Sequence, residues 1–158
     1  MAEPIVGRSR VISALVAGGL FLAAWPALAG DIFGRWATEE EKSHVEIVAC
    51  PDAPEQLCGT IVWLKEPNDE AGQPKTDKNN PDEALRSRPI IGLKLLNGFI
   101  AAQVPNAWED GKIYNPEDGE LYSCVMTLME DGSLEVRGYV GIPLLGQSQI
   151  WTRVPQDS

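Results

Sequence analysis

Trp108-Glu109-Asp110-Gly111-Lys112-Ile113-Tyr114-Asn115-Pro116-Glu117-Asp118-Gly119-Glu120-Leu121-Tyr122 is the stretch that decides the fold. Two short β-prone runs flank Asn115-Pro116-Glu117-Asp118-Gly119. Proline suits the early position of a turn, and Asp-Gly accepts the positive backbone angles that hairpin turns need. A second such signal, Glu130-Asp131-Gly132, follows close behind. Working outward from this pair, the chain reads as short strands at 32–38, 44–50, 58–65, 90–96 with a possible extension to 102, 108–114, 120–129, 133–142 and 146–154. Few segments carry helical periodicity, and mostly short links join the runs, so the expected class is all-β. About eight antiparallel strands suit a closed up-and-down barrel.

The tract 66–89 interrupts this pattern. It is polar and holds Pro67, Pro74, Pro81 and Pro89. Within it, Asn80-Pro81-Asp82-Glu83 reads as an N-cap, a first-turn proline and first-turn acids, which predicts one short helix over 81–87. Pro89 restricts Arg88 and stops it there. The acids Asp69, Glu70, Asp77, Asp82 and Glu83 are expected to be a solvated surface, and they have no EF-hand spacing.

The N-terminus carries Arg8 and Arg10, an apolar run over 11–24 and a small-x-small site at Ala27 and Ala29. These are the three parts of a secretory signal peptide, cleaved after Ala29. The run is shorter than the roughly 20 apolar residues that span a bilayer, so no integral membrane segment is expected after cleavage. The expected organisation is a leader at 1–29 and a single domain at 30–158, released to the periplasm or beyond the cell. The full chain of 158 residues has a net charge of −10. Its leader holds Glu3, Arg8 and Arg10, so the mature chain stands at −11. Phosphate backbones and anionic lipid surfaces repel such a protein, which argues against nucleic acid as a partner.

Export makes cysteine pairing the default. Of Cys50, Cys58 and Cys124, the expected bridge is Cys50–Cys58, because the Pro51–Leu57 segment between them reads as a turn joining two strands. Cys124 sits in an apolar run and is expected to pack as a small core residue. His44, the lone histidine, is expected to face solvent beside Glu46. With no histidine partnering a serine, a triad-type nucleophile has no base. Neither His44 nor Cys124 completes a zinc spacing. The chain is therefore read as a non-enzyme without metal or cofactor.

Gly34-Arg35-Trp36 near the start and Trp151-Thr152-Arg153 near the end resemble the ends of lipocalin-type barrels. That resemblance implies that Arg153 stacks over Trp36 and plugs one end of the barrel. A wider set of segments is similar to the bacterial exported family known as domain of unknown function 2147. These are 57–64, 80–82, 85–89, 108–116, 118–122, 136–141 and 151–153. The resemblance implies a lipocalin-like (calycin-type) barrel and supplies no catalytic residues.

Two functions follow as expectations. The first is a barrel that binds a small apolar or amphipathic ligand. Trp108 and Tyr114, six residues apart and so on one strand face, would line the cavity, and Arg137 would meet an acidic group on the ligand. The alternative is an envelope protein–protein interaction module or protease-inhibitor-like barrel, with Arg86 and Arg88 on the polar loop as anchors.

Overall fold

The computed structural model describes residues 31–155, so the leader expected at 1–29 lies outside the described residues. The strands are β1 (Gly34–Ala37), β2 (Ser43–Cys50), β3 (Ala53–Leu64), β4 (Lys94–Ala101), β5 (Ala107–Asn115), β6 (Glu120–Leu128), β7 (Leu134–Tyr139) and β8 (Gln147–Arg153). Each pairs antiparallel with the next, and β8 pairs with β1, closing an eight-stranded barrel. Among the described residues no helix is long and apolar enough to cross a membrane.

Inward positions follow from the alternation of side chains along each strand. Trp36, Val45, Ile47, Leu96, Phe99, Cys124, Met126, Leu134 and Trp151 are fully or almost fully buried. Gly111 makes room for Phe99, since a Cβ there would lie 2.3 Å from the ring. The lower and middle barrel is thus packed with side chains.

That lower end is also sealed. Ile32 is buried, and its carbonyl accepts a hydrogen bond from Trp36 Nε1 at 2.8 Å. The Arg153 guanidinium lies 4.2 Å from the centre of the Trp36 ring. It also donates to the carbonyls of Phe33, at 2.8 Å, and Asp31.

Cys50 and Cys58 form a disulfide across the β2–β3 hairpin, their Cα atoms 4.9 Å apart. On chain-entropy grounds so small a loop contributes about 2.5 kcal/mol. Adding a reductant, or substituting Cys50→Ser with Cys58→Ser, should therefore lower the urea midpoint by that equivalent. An unchanged midpoint would mean that the hairpin holds itself. Cys124, the free cysteine among the described residues, is buried as expected.

Several expectations need correction. The predicted helix over 81–87 is only a 3-10 turn at Glu83–Leu85. Asp82 caps it, accepting from Ala84 N at 3.0 Å. Asn80 is committed elsewhere, its Oδ1 accepting from Asp82 N and its amide turned inward to Asp77. A longer helix would also carry Arg88 away from Asp77, whose backbone N–H donates to the Arg88 carbonyl. The fourth strand begins at Lys94 rather than Ile90. Gly92, at φ +92°, turns the chain just before it. Likewise β7 ends at Tyr139, and Gly141 at φ +81° takes the following residues out of the sheet. His44 does not face open solvent. The register sets it against Trp63, and the two rings stack at 4.3 Å.

Candidate functional site

The upper end of the barrel gathers the 3-10 turn at Glu39–Glu41, the tract 65–93, the β5–β6 turn and the β7–β8 loop. The tract 65–93 folds down onto the barrel. Ile90 and Leu93 are buried, and Gly92 and Leu93 exchange backbone hydrogen bonds with Ile61 of β3. Asn79 donates to the carbonyls of Pro116 and Glu117 in the β5–β6 turn.

The anchor of this lid is Asp77, which belongs to no solvated surface: it is 0% exposed. Tyr114 Oη donates to its Oδ1 at 2.7 Å. Its Oδ2 accepts from Asn80 Nδ2 at 2.7 Å and from Arg88 Nε and Nη2 at 2.9 and 2.7 Å. Burial by itself would raise the pKa of this carboxyl. The hydrogen bonds from Tyr114, Asn80 and Arg88, with the Arg88 charge, outweigh burial and hold it below the usual carboxylate value. Burial and the neighbouring carboxylate push the Tyr114 hydroxyl up.

This cluster reassigns three of the residues expected to meet a ligand or partner. Tyr114 and Arg88 serve the lid, with the Arg88 guanidinium 5.7 Å from the centre of the Tyr114 ring. Arg86 donates to the Asn80 carbonyl at 2.8 Å and lies 3.4 Å from Glu83. Nor do Trp108 and Tyr114 share a face. Trp108 pairs with Met126 and turns toward the core, whereas Tyr114 pairs with Leu121 on the outside. An extra residue in β5 between Trp108 and Gly111, with Asp110 at φ +59°, inverts the alternation.

Arg137 is displaced in the same sense. It pairs with Ser148 on the outer face of the barrel, so it does not reach into the mouth. Its guanidinium donates to the carbonyls of Pro143 at 2.6 Å and Leu144 at 3.2 Å, and to Ser148 Oγ at 2.8 Å. It fixes the backbone of the β7–β8 loop. That loop then presents Val140, Ile142, Leu144 and Leu145 to solvent, at 75, 53, 81 and 76% exposure.

Beside this apolar loop β8 runs past its two-residue pairing with β1. Gln147 and Gln149 pair with Gly138 and Val136 and therefore share the inward face, yet both are exposed. A Cβ on Gly138 would sit 3.5 Å from Ile113 Cγ2 and 3.8 Å from Tyr122 Cβ, so these inward groups lie against one another. On the rim, Asp118 accepts from Tyr122 Oη at 2.9 Å, Asn115 Nδ2 at 2.8 Å and Glu120 N at 2.8 Å. Desolvation alone would raise its pKa, but these bonds outweigh it and lower the value, so the rim carries a stable negative charge.

Cys124 lies below the mouth, and burial raises its pKa to about 12, so it stays a thiol. Sequence reading missed the two glutamines and the loop. The available signal was the absence of any charged side chain over 138–152 in so acidic a chain.

A closed eight-stranded antiparallel barrel, plugged at one end by an arginine on a tryptophan, defines a lipocalin-like protein. The chain is similar in structure to protein HP1028 from the human pathogen Helicobacter pylori, described as belonging to the lipocalin family. The identity is 25%, the TM-score is 0.66, and the match covers 80% of this chain and 85% of that one. The chain belongs to the family described as uncharacterized protein conserved in bacteria, DUF2147, whose profile matches residues 34–153. None of the curated proteins matches it.

Proposed function

We propose that this protein is an exported, non-enzymatic carrier that holds one small, mostly apolar ligand at the upper mouth of the barrel. One observation carries the reading: Gln147 and Gln149 point inward but remain exposed, beside Gly138 and below an uncharged apolar loop. A ligand site of this kind combines apolar walls with few polar groups. Because side chains fill the barrel below, the ligand sits high and is small. The Cys50–Cys58 disulfide supports export to an oxidising compartment.

Native mass spectrometry of protein taken from its own envelope, before and after solvent stripping, tests this. Wild type is expected to carry a strippable species. Gly138→Leu, whose side chain would extend into the mouth, is expected to lose it. Bare protein at its sequence mass in every preparation would overturn the reading.

The exposed Val140, Ile142, Leu144 and Leu145 favour a second reading, in which the loop docks a protein partner. In that case Leu144→Ser with Leu145→Ser abolishes the partnership and leaves any ligand in place.

A further inference from the structure

Gln149 makes a contact that specifies what the mouth selects. The indole N–H of Trp151 is a donor only, and it lies 3.0 Å from Gln149 Oε1. This bond fixes which end of the amide accepts. The Gln149 NH2 group is left with no partner among the described residues, on an inward and exposed position of β8.

The charges around the mouth narrow the choice further. Arg137 points outward, and its donors are engaged by Pro143, Leu144 and Ser148. An anionic ligand head would therefore meet no cation and would face Asp118 across the rim. A cationic head would be drawn to Asp118, which keeps its charge and a further lone-pair site beside its three hydrogen bonds. As a pure donor, however, it would leave the Gln149 amide unused.

We propose that the mouth discriminates against anionic amphiphiles and takes those whose polar end is an uncharged hydrogen-bond acceptor, such as an ester or amide carbonyl, and that Gln149 donates to it. The proposal rests on the mouth being a ligand site. It replaces an acid-binding arginine with a neutral amide, and it makes Gln149 the residue that determines specificity.

Three probes with one brominated alkyl chain test it: the methyl ester, the carboxylate and the primary amine. Each is titrated below its micelle-forming concentration and read by quenching of tryptophan fluorescence. The ester should bind at least about tenfold more tightly than the carboxylate, the difference that roughly one charge-assisted mismatch produces, and the amine reads the pull of Asp118. Gln149→Glu keeps an acceptor for Trp151 but removes the amide donor. It should weaken the ester by about 3- to 10-fold, the worth of one hydrogen bond, and, because it adds a negative charge, strengthen the amine.

Equal or tighter binding of the carboxylate would overturn the proposal and leave the carrier reading standing, as would an unchanged ester affinity in Gln149→Glu. If none of the three probes binds, the carrier reading falls and the proposal falls with it.

Discussion

Asp77→Ala is expected to destabilise the fold by about 3 kcal/mol, near the lower end of the 3–5 kcal/mol for breaking a buried ion pair. The lower end applies because the Arg88 side chain is 37% exposed and recovers some hydration. The mutation removes a carboxylate that accepts from Tyr114, Asn80 and Arg88 together. Asn80 and Arg88 brace the tract 65–93 from within and Tyr114 ties it to β5, so the amides of that tract should lose hydrogen-exchange protection first.

The same site predicts a pH dependence. The folded pKa of Asp77 lies below its ordinary 3.8. The folded protein therefore binds fewer protons than the unfolded chain in that range, and stability rises with pH there. The contribution of Asp77 is complete above about pH 4 and is lost as pH falls through the lower folded value. Denaturant midpoints measured across that window should fall steeply for wild type and more gently for Asp77→Asn. Parallel curves would mean that Asp77 contributes no linkage.

The barrel itself was legible because its signals are local. Asn115–Gly119 and Glu130–Gly132 fix two hairpins by turn chemistry alone, and the strands they join alternate visibly. The disulfide was legible for a similar reason, since its cysteines flank one hairpin, although the turn is only Pro51 and Asp52 and β3 already runs from Ala53.

Long-range relations and single-residue slips were not legible. One extra residue at Asp110 turned Tyr114 outward and separated it from Trp108. No alternation count detects such a bulge, because the pattern on either side of it remains regular. Asp77 reads as one more acid in a polar tract. Its burial depends on Arg88, eleven residues away, and on Tyr114, thirty-seven away. Val140 and Ile142 imitate the alternation of β7, so the strand was read through them and the apolar loop went unseen. Gly141 was the residue that ended the strand. Arg137 was misplaced for a different reason: alternation with the inward Leu134 and Val136 already sets it on the outer face, where Pro143, Leu144 and Ser148 take its guanidinium.

The lower plug carries the other large effect. Trp36→Ala is expected to lower stability by about 3–5 kcal/mol, the usual range for truncating a fully buried tryptophan. The ring is 0% exposed and fills the barrel floor, and its Nε1 ties down the Ile32 carbonyl. It also supports the Arg153 guanidinium, a stacking worth about 0.5–2 kcal/mol depending on desolvation.

Trp36→Phe separates these contributions, because it keeps most of the apolar volume while losing the indole bond and the stronger cation–π face. A cycle combining Trp36→Leu, which removes the aromatic face altogether, with Arg153→Ala should then give a coupling energy within that stacking range. Zero coupling would assign Arg153 to the Phe33 and Asp31 carbonyls alone. Arginine would then close the floor by holding the chain that crosses it, and the ring would act only as filler. Either way the floor stays shut from below.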